Sequence, residues 1–565
     1  MKIRKGKNEF TTNEREIANT FNNYFTSIGK NMSKNLPSAN LNILSPRVQN
    51  SFYISDTSPG EVMDIICALK KSSHRNDVPT AFLKKGNLSI SNFLSKFFNK
   101  CVSLGVYPNL MKVAQVLPIH KNGSKSECGN YRPISILSQL NKIFEKLINK
   151  RLYNFLEKYK ILSDHQYAFR KNKSTSHAIY DVIEQKLENY DKDKYTCALY
   201  LDLSKAFDTV NHNILLTKLN HYGVRGSAYL LFESYLKNRK QFVNINGSHS
   251  TELLLEIGVP QGSVLGPLLF LLYINDLPLA SQLLTKLFAD DTVLIFSADN
   301  LNDLQILINN ELRAIHQWMT SNKLSLNYDK TKYMLVHRRN DRAVLNLYID
   351  DNKIKQVQSI KYLGVIIDEK LSWKEHIKTV ESKISKACGA ICKLRHYVDF
   401  DCLRALYYGY AYSHLQYACL SWSSALKSHL KKLKMLHGKL IRLMTLHGPL
   451  KDFNFSALEM MKNLKILQLE DIRQLELAKF MHKSVNNKLP STFNSFFTKI
   501  ENMHSYKLRS IKTQVYYPPK YKTAKCRNSY KLAGIQLWQK LDPKLKKLEL
   551  KTFSSKLKKI LISKY

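Results

Sequence analysis

The chain has 565 residues, 44% of them hydrophobic and 11% aromatic, which is enough to build several packed cores and excludes a disordered chain. Lys and Arg number 87 against 45 Asp and Glu, a formal charge of +42, so the expected partners are polyanions, nucleic acid before an anionic membrane surface. No apolar run approaches the ~20 residues that span a bilayer, the start Met1-Lys2-Ile3-Arg4-Lys5-Gly6-Lys7 has no signal core, and the nine cysteines show no zinc spacing, which together point to a soluble intracellular protein.

In chain order, Glu14 to Lys34 reads as a helix, with Ile17, Phe21, Tyr24, Phe25 and Ile28 near helical spacing, and residues 1–55 read as an N-terminal extension closed by a loop at Pro37 and Pro46. Ser58-Pro59-Gly60-Glu61 opens a second helix, and another runs from Ser89 to about Leu104. Residues 113–120 read as a strand with a late proline, and 138–160 as an amphipathic helix carrying Ile143, Phe144, Leu147, Ile148 and Leu152. The apolar run 196–203 ends on Asp202. Helices are expected over His212–Tyr222 and Ser227–Asn238, then strands over Lys240–Asn246 and Leu253–Gly258 with an Asn246-Gly247 turn. Lys286 to Phe296 places two apolar runs around Asp290-Asp291, a hairpin with two carboxylates at its tip. A helix from Leu301 to Asn322, a strand at Tyr333–His337, a β-rich stretch to Ile367 and helices from Trp373 to near 485 follow, and the last eighty residues are basic, with tyrosines interleaved from Tyr506 to Tyr530.

An isolated Asp-Asp pair reads first as a solvated turn. It gains meaning from Asp202, delivered by a neighbouring strand. Three carboxylates gathered in this way could hold two Mg²⁺ ions, which favour oxygen ligands and leave positions open for substrate phosphates. Such a pair of ions serves in-line phosphoryl transfer.

The motifs Phe288-Ala289-Asp290-Asp291, Leu201-Asp202-Leu203-Ser204-Lys205-Ala206-Phe207-Asp208 and Gly258-Val259-Pro260-Gln261-Gly262-Ser263 together resemble the core of reverse transcriptases. Asn130-Tyr131-Arg132-Pro133-Ile134, Gln166-Tyr167-Ala168-Phe169-Arg170 and Tyr362-Leu363-Gly364-Val365 extend the likeness in the family's order, nearest to non-LTR retrotransposons of the jockey and chicken-repeat type. The resemblance implies that Asp202, Asp290 and Asp291 are the catalytic, metal-binding triad, with the Leu203 carbonyl as a further ligand. It implies that Phe207 screens the sugar 2′ position, that Gln261 and Gly262 face the nascent base pair, that Arg132 and Arg170 contact the triphosphate, with Lys121 a weaker candidate, and that Lys330 protonates the leaving pyrophosphate.

The implied fold is α+β, a right-hand polymerase with fingers, an antiparallel-sheet palm and a helical thumb. Residues 1–55 would be a connector, 56–368 fingers and palm (core about 100–368), 369–445 the thumb and 446–565 a basic nucleic-acid-binding region. The implied activity is RNA-directed DNA polymerisation with two Mg²⁺ or Mn²⁺ ions. RNA template, DNA primer or target and dNTPs are the partners, with no membrane, in a ribonucleoprotein that reaches the nucleus. The family's N-terminal endonuclease has no motif in this sequence, so a nuclease acting in trans is expected. The finger loop Lys71-Ser72-Ser73-His74-Arg75-Asn76-Asp77 lacks the family's glycines. The alternative reading is a catalytically inactive, nucleic-acid-binding remnant.

Overall fold

The run Tyr195–Leu201 is the middle strand of a five-stranded sheet, and all seven of its positions are buried. A computed structural model describes residues 2–6, 9–34, 36, 41–70, 78–339, 343–445, 456–500 and 516–565. Helices cover both faces of this sheet, which is why the strand reads as a continuous apolar run rather than an alternating one. The period of two divides its side chains between two cores. Cys197, Leu199 and Leu201 join Leu304 and Ile308 of the helix Leu301–Ser321. Ala198 and Tyr200 join Ile179, Val182 and Ile183 of the helix Thr175–Asp191.

The sheet order is Lys355–Gln356, Lys332–Val336, Tyr195–Leu201, Asp291–Ala298, Leu284–Phe288, antiparallel except for the first pair. Asp291–Ala298 and Leu284–Phe288 form the expected hairpin, with Phe288 paired to Asp291 across the two-residue turn Ala289-Asp290. Ala289 takes a left-handed φ of 54° there. A second five-stranded sheet runs Tyr131–Ile136, Val113–His120, Arg239–Ile245, Ser248–His249, with Leu253–Leu255 also on Arg239–Ile245. Val113–His120 and Arg239–Ile245 pair in parallel only through Val116, because Pro118 has no N–H to donate further along. Leu253–Leu255 is shorter than the expected strand. Gly258 turns at φ 94° to donate to the Val210 carbonyl at 2.8 Å, drawing the chain off the sheet.

The helix Glu14–Lys34 lies against this second sheet rather than standing apart as an extension. Ile17, Phe21 and Phe25 share a core with Val116, Tyr131 and Val243. Buried Asn22 donates to the Gln241 and Thr251 carbonyls and accepts from the Gln241 side chain at 3.0 Å. Gly29 sits so close to the Asp208 carbonyl that a Cβ would lie 2.3 Å from its oxygen.

Beyond Trp373 the chain is helical, as its pattern implied, with Lys374–Leu394 and Lys427–Thr445 packed together. Leu469–Val485, Tyr530–Lys540 and Leu550–Ile562 continue the same core. Several of the C-terminal tyrosines are internal. Tyr516 and Tyr530 are buried, and the Tyr521 hydroxyl donates to Glu184 at 3.2 Å. Asp191 fixes the same segment by accepting from the N–H groups of Lys522 and Thr523. Tyr506, Lys507, Arg509 and Lys512, and the finger loop Lys71–Asp77, lie outside the described residues. Among the described residues no helix is long and apolar enough to cross a membrane.

Candidate active site

The carboxylates converge because of strand register. Thr292 pairs with Leu201, so one residue further on Asp291 stands across from Asp202. Asp202 leaves the strand end, where its carbonyl accepts from the Asn327 N–H at 2.8 Å. Asp290 occupies the turn itself. A cleft of about 540 Å³ opens here, lined by Asp202, Leu203, Phe207, Asp208, Gln261 and Asp290 on one side and by the cations Lys121, Arg132, Lys205 and Lys330. The structure thus brings together Asp202, Leu203, Asp290, Phe207, Gln261, Arg132 and Lys330. Asp291 and Gly262 are not part of the lining, though each follows a residue that is.

Like charges oppose one another within each set. Burial raises the Asp290 carboxyl above the usual carboxylate range, and Asp202 adds to the rise, while Arg132 and Lys121 hold it down. Asp291 is pushed up to about 6 by its walled position and then by Asp290 and Asp202. On the basic side, burial lowers the Lys205 ammonium; Asp208 opposes the fall, and Lys121, Lys330 and Arg132 deepen it. Lys330 Nζ lies 3.7 Å from Asp202 Oδ2, a solvent-screened pair that one proton or ion can replace.

Phe207 is both wall and core. It lines the cleft, and its ring stacks on Phe270 with centroids 4.4 Å apart. Its carbonyl accepts from the Val259 N–H at 2.9 Å, tying it to the Gln261 loop. The Gln261 amide donates to Asp208 Oδ1 at 2.7 Å, and the Gln261 carbonyl accepts from the Ser135 N–H at 2.7 Å. Gly262 is required by geometry. Its φ is 122°, and a Cβ would lie 2.4 Å from the Ser135 carbonyl oxygen.

Arg170 is a correction. Its guanidinium is 8% exposed and forks onto Glu157 at 2.9 and 3.0 Å, with a third bond to the Ser163 carbonyl at 2.6 Å. A buried guanidinium needs its donors satisfied, and here local partners satisfy them, so Arg170 braces its own loop and does not line the cleft. Three residues escaped the sequence reading. Buried Glu145 accepts from the Val264 and Leu265 N–H groups that follow the Gln261 loop. Asp208 holds Gln261. Gln166 accepts from the Ala289 N–H in the Asp290 turn. Both Asp208 and Gln166 lie inside motifs quoted above, but their partners are distant in sequence.

Among the described residues no three acidic, His or Cys side chains are gathered into a closed metal site. The donor set nonetheless suits a hard divalent cation. Asp202, Asp290 and Asp291 present carboxylate oxygens, and the last two are made weaker acids by burial first and by neighbouring carboxylates second, a penalty on their charge that a cation would relieve.

Residues 119–367 match the family described as reverse transcriptase (RNA-dependent DNA polymerase). A probable RNA-directed DNA polymerase from the transposon X-element of Drosophila melanogaster is 29% identical over 413 residues, 71% of this chain and 45% of that protein. The corresponding protein of transposon BS is 28% identical over 462 residues, 77% of this chain and 50% of its own length. The RNA-directed DNA polymerase of the mobile element jockey, from the same fly, is 28% identical over 450 residues, 77% of this chain and 48% of its own length. The chain spans about half the length of these curated relatives. With the carboxylate hairpin, the Phe207 wall and the Gln261 loop in one cleft, residues 119–367 are similar to reverse transcriptases, and much of the chain is similar to the RNA-directed DNA polymerases of these fly transposons.

Proposed function

We propose that the chain is an RNA-directed DNA polymerase that extends a DNA 3′-hydroxyl along an RNA template with dNTPs. The observation that supports this best is the mix of charge at the cleft, where Asp202 and Asp290, with Asp291 next in the chain, meet Lys121, Arg132, Lys205 and Lys330. Asp202, Asp290, Asp291 and the Leu203 carbonyl would hold divalent cations, Mg²⁺ or Mn²⁺. When bound, such ions supply Lewis acidity and orientation for phosphoryl transfer. The four cations bind and orient the polyphosphate. Phe207 excludes a 2′-hydroxyl by filling its space. Gln261, fixed by Asp208, presents its loop to the nascent base pair. Lys330 stands where it can hold or release a proton beside a leaving phosphate.

In this reading the sheet around Tyr195–Leu201 is the palm, the second sheet belongs to the fingers, and Lys374–Leu394 with Lys427–Thr445 forms the thumb. Lys374, Lys378, Lys386 and Lys432 line a groove between those two helices and suit the phosphates of a template–primer duplex, whatever its sequence. Primer extension on an RNA template tests the proposal. Wild type should extend and Asp290→Asn should not; equal signal from the two, or none from either, overturns it.

A further inference from the structure

The hairpin turn that carries Asp290 is conformationally demanding. Ala289 adopts φ 54°, a region that L residues other than Asn and Asp rarely visit. Something must hold it there. The Ala289 N–H donates to Gln166 Oε1 at 3.1 Å, and the same oxygen accepts from the Ala168 N–H at 2.9 Å. Gln166 is 2% exposed, and its amide nitrogen finds no partner among the described residues, so the oxygen alone decides where the side chain sits.

The backbone around Gln166 reinforces the grip. The Leu287 N–H donates to the His165 carbonyl and the Tyr167 N–H to the Leu287 carbonyl, both at 2.9 Å, so residues 165–167 run as a short parallel partner to the first hairpin strand. Gln166 sits at the centre of that stitch and reaches two residues beyond it, to the turn.

We infer that Gln166 is a positioning residue for the catalytic turn: through the Ala289 N–H it holds the turn in its left-handed conformation and so aims the Asp290 carboxylate into the cleft. It touches neither substrate nor the carboxylate. The inference rests on the polymerase reading for its kinetic consequence, but not for the contact itself. Gln166→Met keeps the volume and apolar stem and removes the acceptor. The Ala289 N–H then loses its partner, and the turn relaxes toward conformations that displace Asp290. A displacement of about 1 Å at a reacting group can lower turnover on the order of a hundredfold. Ala289→Gly removes the conformational demand itself, because glycine occupies positive φ without penalty.

The test uses the full chain. In Gln166→Met, kcat for primer extension should fall about 10- to 100-fold while KM for dNTP stays within about twofold, the pattern of an interaction felt only in turnover. Ala289→Gly in the same background should recover most of the loss, which a general loss of packing would not allow. Independently of catalysis, hydrogen exchange of a peptide spanning Leu287 to Thr292 should quicken in Gln166→Met. Unchanged kcat, a loss confined to KM, no recovery with Ala289→Gly, or unchanged exchange each overturns the inference. Quicker exchange in Gln166→Met together with a wild type that extends no primer defeats the polymerase reading instead.

Discussion

The strand that leads into the Asp290 turn carries a buried lysine, and removing its charge should unfold the protein more readily than its size suggests. Lys286 Nζ lies 2.5 Å from Asp181 Oδ2, with side chains 4% and 0% exposed. The Tyr167 hydroxyl donates to the same carboxylate and is bonded in turn to the Thr492 hydroxyl at 2.8 Å. Asp181 Oδ1 has no hydrogen-bond partner among the described residues. Lys286→Met preserves most of the stem but leaves Asp181 as a buried carboxylate supported by one phenol. An uncompensated charge of this kind costs about 3–5 kcal/mol. Replacing both partners with apolar groups, Lys286→Met with Asp181→Leu, removes the stranded charge. Such exchanges are often neutral or stabilising, so the double variant should return to within about 1 kcal/mol of wild type, less what Tyr167 loses with its acceptor, about 1 kcal/mol more. Urea denaturation of the full chain followed by circular dichroism measures both. A single variant as stable as wild type, or a double variant no better than the single, would refute the reasoning.

Three further outcomes follow from the cleft. Asp291, with its carboxyl pushed up to about 6, must lose its proton before a cation binds, so Mn²⁺ affinity should be full above that value and fall below it. The loss is about tenfold between pH 7 and pH 5, read by the spin resonance of free Mn²⁺, and Asp291→Asn should flatten the profile. Gly262→Ala places a Cβ against the Ser135 carbonyl at a positive φ and should destabilise the loop by about 1–3 kcal/mol, seen as a lower melting temperature together with weaker primer extension. Phe207→Val opens the wall that stacks on Phe270, and the ratio of kcat/KM for dNTP over rNTP should fall about 10- to 100-fold; an unchanged ratio would leave Phe207 a core residue only.

Much of this could be read from the sequence where local pattern and packing agree. The strand Tyr195–Leu201 declared itself by seven consecutive residues suited to burial, and the hairpin by two such runs around an acidic turn. The interior charges could not be read. Asp181, Glu184 and Lys186 give the helix Thr175–Asp191 a polar appearance, yet all three are buried. Their partners, Lys286, Tyr521 with Lys531, and Tyr200, lie 14 to 347 positions away. The packing of the C-terminal tyrosines was hidden for the same reason. Basic and aromatic residues interleave both on a nucleic-acid surface and on a helix whose rings pack inward while its lysines stay in water. Arg170 fits its motif by position, but Glu157, 13 residues earlier, had already claimed its fork.

The cleft's own energetics bear on why Asp290 and Asp291 differ. Both feel Asp202, yet only Asp290 feels Arg132, while Lys121 reaches both. Asp290 therefore sits nearer the cations and on the cleft lining, and it is the better placed to exchange a lysine or arginine counter-charge for an ion. Asp291, opposite Asp202 on the next strand, is pushed up to about 6 by burial first and then by Asp290 and Asp202, with only Lys121 opposing. The Lys205 ammonium is lowered in the mirror sense, by burial first and then by Lys121, Lys330 and Arg132, with Asp208 opposing. Neither set can relax by folding alone, because the sheet register fixes the acids and the second sheet helps fix the bases. A ligand that brings cations to the first set and phosphates to the second satisfies both at once. Under the proposed polymerase activity, a metal-bound nucleoside triphosphate would be such a ligand and would relieve both conflicts.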